Sequence, residues 1–93
     1  MYKNLNPIIH SPLRLEIMSL LASMPKADFT YLKEQTGASS GNMSININIL
    51  KKAGYIDTEK VFQGNTPKTF CRITYEGLWA FKEYVKHLQK YFN

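Results

Sequence analysis

The sequence predicts a mainly α domain carrying one β-hairpin (α+β), in the order helix, helix, helix, hairpin, helix. Three observations predict it. Apolar residues recur every three and four positions near both ends of the chain, the period of a helix with one buried face. Short segments between them open on hydroxyl residues and close on glycine. From Tyr55 to Thr74 the pattern changes to strand-type residues on either side of a Gly-Asn-Thr-Pro turn.

The first helix starts at Ser11-Pro12, a capping hydroxyl followed by proline at the first helical position. Leu13, Ile17, Leu20, Leu21 and Met24 fall on one of its faces, and Pro25 ends it. Thr30 to Gly37 forms a short second helix, with Thr30 as its cap and Gly37 supplying the left-handed turn that stops it. A third runs from about Gly41 to Ala53 and is closed by Gly54. Two short helices joined through a glycine are the sequence form of a helix-turn-helix. Tyr55 to Phe62 and Lys68 to Thr74 are the hairpin strands, with Gln63 to Pro67 as the turn. Thr74 caps the last helix, along which Leu78, Phe81, Val85, Leu88 and Phe92 recur as a seam.

The chain has 93 residues, the size of one domain, so the expected organisation is a single unit over 1–93. Twelve Lys and Arg against seven Asp and Glu leave a net charge of +5, which favours an anionic partner, nucleic acid first. The lone Cys71 allows no internal disulfide and no multi-cysteine zinc site, and it suits a reducing cytoplasm. Between Phe70 and Ile73 it is expected to be a buried apolar group rather than an oxidant sensor. His10 and His87 stand on separate elements, and no phosphate-binding loop, metal motif or acid/base pair is present. No enzyme, metal or cofactor is expected. Met1-Tyr2-Lys3-Asn4 leads into no export signal, and the longest apolar run, Leu78 to Phe81, is far too short to span a membrane.

Five blocks carry a family resemblance: Pro12-Leu13-Arg14-Leu15-Glu16-Ile17, Asp28-Phe29-Thr30-Tyr31-Leu32, Gly41-Asn42-Met43-Ser44, Leu50-Lys51-Lys52-Ala53-Gly54-Tyr55-Ile56 and Arg72-Ile73-Thr74-Tyr75-Glu76-Gly77. In that order they resemble the small winged helix-turn-helix transcriptional regulators related to the MarR and ArsR groups, over about Leu5 to Tyr91. The resemblance implies a dimeric, sequence-specific DNA-binding regulator, usually a repressor. Its third helix would enter the major groove and its hairpin, the wing, would touch backbone or minor groove.

Projection of the third helix at ~100° per residue puts Met43, Ile47 and Leu50 on the core face and Ile45, Asn48, Ile49 and Lys52 opposite. Family members commonly carry basic residues near positions 45 and 48, where this chain has Ile45 and Asn48. With no arginine on this helix, guanine readout by bidentate Arg is not available. Asparagine suits adenine and an aliphatic group suits the thymine methyl, so the base-reading set is Asn42, Ser44, Ile45, Asn46, Asn48 and Ile49, directed at an A·T-rich operator. A second reading treats exposed Ile45 and Ile49 as cover for a partner protein, making the domain a protein-interaction module with weak or no base reading.

Candidate backbone contacts are Ser39, Ser40, Lys51, Lys52, Lys60, Asn65, Thr66, Lys68 and Arg72, with Lys68 favoured because it flanks the tight turn. The last helix, about 75–92, is more apolar than one small core can cover. That excess predicts a homodimer seam built from Leu5, Ile8, Ile9, Trp79, Tyr84, Leu88, Tyr91 and Phe92. Room for a small-molecule inducer would exist only between this helix and the core, or at the seam.

Overall fold

A computed structural model describes residues 5–92, so the expectation drawn on Met1-Tyr2-Lys3-Asn4 lies outside the described residues, as does Asn93. The elements are α1 (Pro12–Ala22), β1 (Ala27–Asp28), α2 (Phe29–Thr36), α3 (Ser40–Lys52), β2 (Ile56–Gln63), β3 (Thr66–Ile73) and α4 (Tyr75–Gln89), followed by a 3-10 turn, Lys90–Phe92. Helices and hairpin follow the expected order. The two-residue β1 is an addition, too short for alternation to reveal. It pairs antiparallel with β3 through Ala27 and Cys71, giving the sheet order β1-β3-β2.

Local chemistry sets the helix ends, though not always through the residue expected. Pro12 does occupy the first turn of α1, but the Ser11 hydroxyl makes no capping bond. The helix also stops at Ala22 rather than at Pro25, because the Ser23 amide and hydroxyl both donate to the Leu20 carbonyl. Met24 therefore lies beyond it. Asp28, not Thr30, caps α2: its backbone is extended and its Oδ1 accepts the Tyr31 amide at 2.7 Å, while Thr30 is already helical. A carboxylate there also meets the positive end of the helix dipole. Gly37 closes α2 at φ 74°, the left-handed conformation that glycine adopts without a Cβ penalty. Ser39 caps α3 by accepting the Asn42 amide at 3.1 Å, so that helix begins at Ser40, one residue before the expected Gly41.

Residues Gly64 and Asn65 alone form the hairpin turn, with Gln63 opposite Thr66 and Ile56 opposite Ile73. Thr66 and Pro67, expected in the turn, belong to β3. Thr74 joins the wing to α4: its Oγ1 accepts the Gly77 amide at 2.9 Å and donates to the Gly54 carbonyl at 2.7 Å, and its amide donates to Tyr55 at 3.0 Å.

The core is formed by Ile17, Met18 and Leu21 of α1, Leu32 of α2, Met43, Ile47 and Leu50 of α3, Ile56 and Cys71 of the sheet, and Ala80 and Tyr84 of α4. Ile9 joins them from the lead segment and is completely buried. This corrects two dimer-seam assignments. Ile9 and Tyr84 are spent inside the single chain, where Tyr84 Oη lies 2.8 Å from His10 Nδ1. Burial raises the Tyr84 phenol above its ordinary range. Leu5, Ile8 and Leu88 are half-buried against the same core, whereas Trp79, Tyr91 and Phe92 are exposed.

Candidate nucleic-acid interface

The inner face of α3 is pinned by Met43, Ile47 and Leu50, and that decides what its other face offers. Asn42, Ser44, Ile45, Asn48, Lys51 and Lys52 are all exposed, Ile45 at 61%, while Ile49 is half-buried. Among the described residues the exposed Asn48 amide has no hydrogen-bond partner, so both its donor and its acceptor face solvent.

Asn46 does not belong to this face. It is buried, with Arg14 Nη1 donating to its Oδ1 at 2.7 Å and its Nδ2 donating to the Asn42 carbonyl at 2.8 Å. Helical spacing already places residue 46 beside Met43 and Leu50. Its polar side chain argued for solvent, but a buried amide is stable when partners satisfy it. Arg14 was not foreseen as a contributor. Its guanidinium also donates to the Ile8 carbonyl, which ties the lead segment to α3 through α1.

The strand register sorts the wing into two faces, because alternate residues point to opposite sides. One face carries Ile56 and Cys71 into the core at the base, and continues toward the tip through Lys60, Thr69, Phe62 and Pro67. Phe62 is 69% exposed and stands opposite Pro67 at the wing tip. Sequence reasoning passed over Phe62 as a strand apolar, although a hairpin that outruns its helices must expose the apolar positions at its end. Asn65 and Thr66 flank it, also exposed.

The other face carries Asp57, Glu59, Lys68, Phe70 and Arg72. Arg72 is exposed as expected, but on the face opposite Lys60 and directly across from Asp57. The structure therefore does not bring Arg72 together with Lys60. Lys26 covers the Phe70 ring, 4.6 Å from its centroid. Lys68 lies 3.6 Å from Asp28, the residue that caps α2, and both are partly exposed. A phosphate must compete with that carboxylate for the Lys68 ammonium. Ser39 and Ser40 are exposed at the start of α3, and Lys51 and Lys52 at its end.

Cys71 is fully buried at the base of the wing. Burial, reinforced by the Asp28 carboxylate and opposed by Lys51, pushes its thiol up to about 11. Since the thiolate is the reactive form, a thiol reagent at pH 8 is expected to label the folded protein about 100-fold more slowly than free cysteine. Labelling at the free-cysteine rate, followed by mass spectrometry, would show that β3 opens readily.

The comparisons fit this geometry. Residues 13–92 match the family described as winged helix DNA-binding domain. The chain is 33% identical over 78 residues to the uncharacterized protein MJ0432 of Methanocaldococcus jannaschii, covering 84% of this chain and 85% of that one. Among solved structures it resembles a transcriptional regulator homologue from Pyrococcus horikoshii OT3, with 29% identity and a TM-score of 0.85 over 91% of this chain and 84% of that one. It also resembles the ArsR family transcriptional regulator RHA00566, at 20% identity and a TM-score of 0.64 over 91% and 82% of the two chains, a likeness that bears on fold alone. The order of elements, the outward face of α3 and the family match converge: this chain belongs to the winged helix DNA-binding domain family, whose members bind DNA and are not enzymes.

Proposed function

We propose that the protein is a transcriptional regulator, a homodimeric repressor that occupies an A·T-rich operator in the cytoplasm. The observation that carries this reading is the outward face of α3, where Asn42, Ser44, Ile45 and Asn48 stand exposed on a helix whose opposite side is locked in the core. Asn48 is equipped to pair with adenine in the major groove and Ile45 to pack on a thymine methyl. Ser39, Ser40, Lys51, Lys52 and Lys60 supply sequence-independent attraction to phosphates. Residues 1–93 act as one domain, and the last helix, about 75–92, forms the dimer seam through Trp79, Tyr91 and Phe92. Trp79 and Phe92 are 68% and 78% exposed, which supports a covered face in the assembly. Two-fold symmetry would set two copies of α3 about 34 Å apart, one DNA turn. Among the described residues no helix is long and apolar enough to cross a membrane, in keeping with a cytoplasmic site of action.

Selection from random duplex DNA tests the reading. The expected product is an inverted repeat of A·T-rich half-sites. G·C-rich half-sites would sink the base-reading assignment, and sedimentation as a monomer at micromolar concentration would remove the dimer. Exposed Ile45 beside half-buried Ile49 also favours a second reading, a protein-interaction module. Failure of the wild type to bind any duplex at low salt selects it.

Lys68→Ala is expected to weaken binding to all sequences alike, and to lower the slope of log affinity against log salt by about 0.9, the share of one phosphate contact. An unchanged slope would mean that Lys68 stays with Asp28 in the complex.

A further inference from the structure

The hydrogen bonds behind α3 run in one direction, and the direction determines which atom Asn42 turns toward DNA. A guanidinium has only donors, so Arg14 Nη1, 2.7 Å from Asn46 Oδ1, requires Asn46 to present its oxygen there. The Asn46 NH2 group must then face the other way. It does so, donating to the Asn42 carbonyl at 2.8 Å and to Asn42 Oδ1 at 3.4 Å. With Oδ1 turned inward, the Asn42 side chain has its NH2 group left for solvent. Turning Asn42 over would set two NH2 groups against each other, and turning Asn46 over would set NH2 against guanidinium. Each flip faces donor with donor. Asn46 is 8% exposed, so water does not relieve the conflict.

We propose that Arg14 and Asn46 are positioning residues that hold Asn42 as a hydrogen-bond donor toward the major groove, so that Asn42 selects a base edge by its acceptor. The acceptors available there are N7 and O6 of guanine, N7 of adenine and O4 of thymine. The exposed amino group of cytosine offers none. Asn42 therefore discriminates against cytosine, and it does not form the two-point adenine pair that needs its oxygen as well. Asn48, without an internal partner among the described residues, keeps that two-point mode.

The inference rests on the proposed DNA reading by α3, and the test separates the two. Asn46→Asp keeps an acceptor for Arg14 but removes the NH2 group facing Asn42. Asn42 then turns over to donate inward and expose its oxygen. In selection from random duplex DNA, the wild type is expected to disfavour cytosine at one position of each half-site by about fivefold, the worth of one hydrogen bond. Asn42→Ala abolishes that preference, and Asn46→Asp shifts it toward the amino-bearing bases, cytosine and adenine, at that position alone. Should Asn46→Asp fail to fold, Arg14→Met removes the donor that orients Asn46, and the same position is expected to lose its preference. A folded Asn46→Asp protein that selects the wild-type base overturns the inference while leaving DNA reading intact. A wild type that selects no sequence overturns the DNA reading itself. The side-chain amide NMR spectrum of the free wild type supplies a readout that needs no DNA. Slowed exchange of the Asn46 NH2 protons with water, beside free exchange for Asn42, supports the network, and equally fast exchange for both overturns it.

Discussion

Replacing Gly77 with alanine is expected to destabilise the fold by about 3 kcal/mol, the upper end of overpacking costs, and to lower the melting temperature by about 15 °C. Gly77 is buried in the first turn of α4, where the helix leans on the start of the wing. A methyl group there would collide with the Tyr55 carbonyl oxygen, and would lie 2.8 Å from the carbonyl carbon and 3.0 Å from Ile73 Cγ1. Backbone cannot rotate away as a flexible side chain can, so either α4 or the wing must shift. The same Tyr55 carbonyl accepts the Thr74 amide, and Thr74 caps α4, so a shift also strains the join between wing and helix. Alanine is otherwise the better helix former, which makes the test sharp. A thermal melt showing Gly77→Ala as stable as wild type would mean that α4 and the wing yield to the added methyl at no cost. By contrast Gly41→Ala, with open space around the added carbon, is expected to be neutral or slightly stabilising.

Ile45→Glu is expected to reduce operator affinity by about 100-fold while leaving the melting temperature within a few degrees of wild type. The side chain is 61% exposed, so the fold does not depend on it. In the groove, however, the change exchanges an apolar contact for a carboxylate among phosphates, and like charges brought together at an interface cost several kcal/mol. Ile45→Ala is the milder control, expected to lose about tenfold, and chiefly on sites that present a thymine methyl. Fluorescence anisotropy on a selected operator measures both. Full affinity in Ile45→Glu would place this residue outside the DNA contact and return weight to the protein-interaction reading.

The helices and the hairpin were legible because the signals that make them are local. Thr74 could be identified as a cap since its hydroxyl bonds an amide three residues on, and Gly37 as a stop since the left-handed turn is a property of one residue. Met43, Ile47 and Leu50 could be placed in the core because burial repeats with the helix. Misplacements arose where two local signals competed. Asp28 and Thr30 both have capping side chains, and β1 decided between them by holding Asp28 extended against β3. Phe62 escaped notice because strand patterning gives the faces of a hairpin and not the point at which the helices beneath it end.

The functional face divides along the same line. Sequence alone determined that α3 would carry asparagine and isoleucine rather than arginine toward a partner, and that positive charge would fall on the hairpin, the end of the third helix and the last helix. Only the tertiary structure decided which of those side chains remain available. Asn46 is withdrawn by Arg14, Lys68 is shared with Asp28, and Ile9 and Tyr84 are consumed by the core rather than by a second copy. Gly77 is obligatory because of Tyr55. The physical reason is separation along the chain. A cap or a helical stripe is settled within a few residues, whereas Arg14, Asp28 and Tyr55, which decide the fates of Asn46, Lys68 and Gly77, lie tens of residues away from them and meet them only when the core closes.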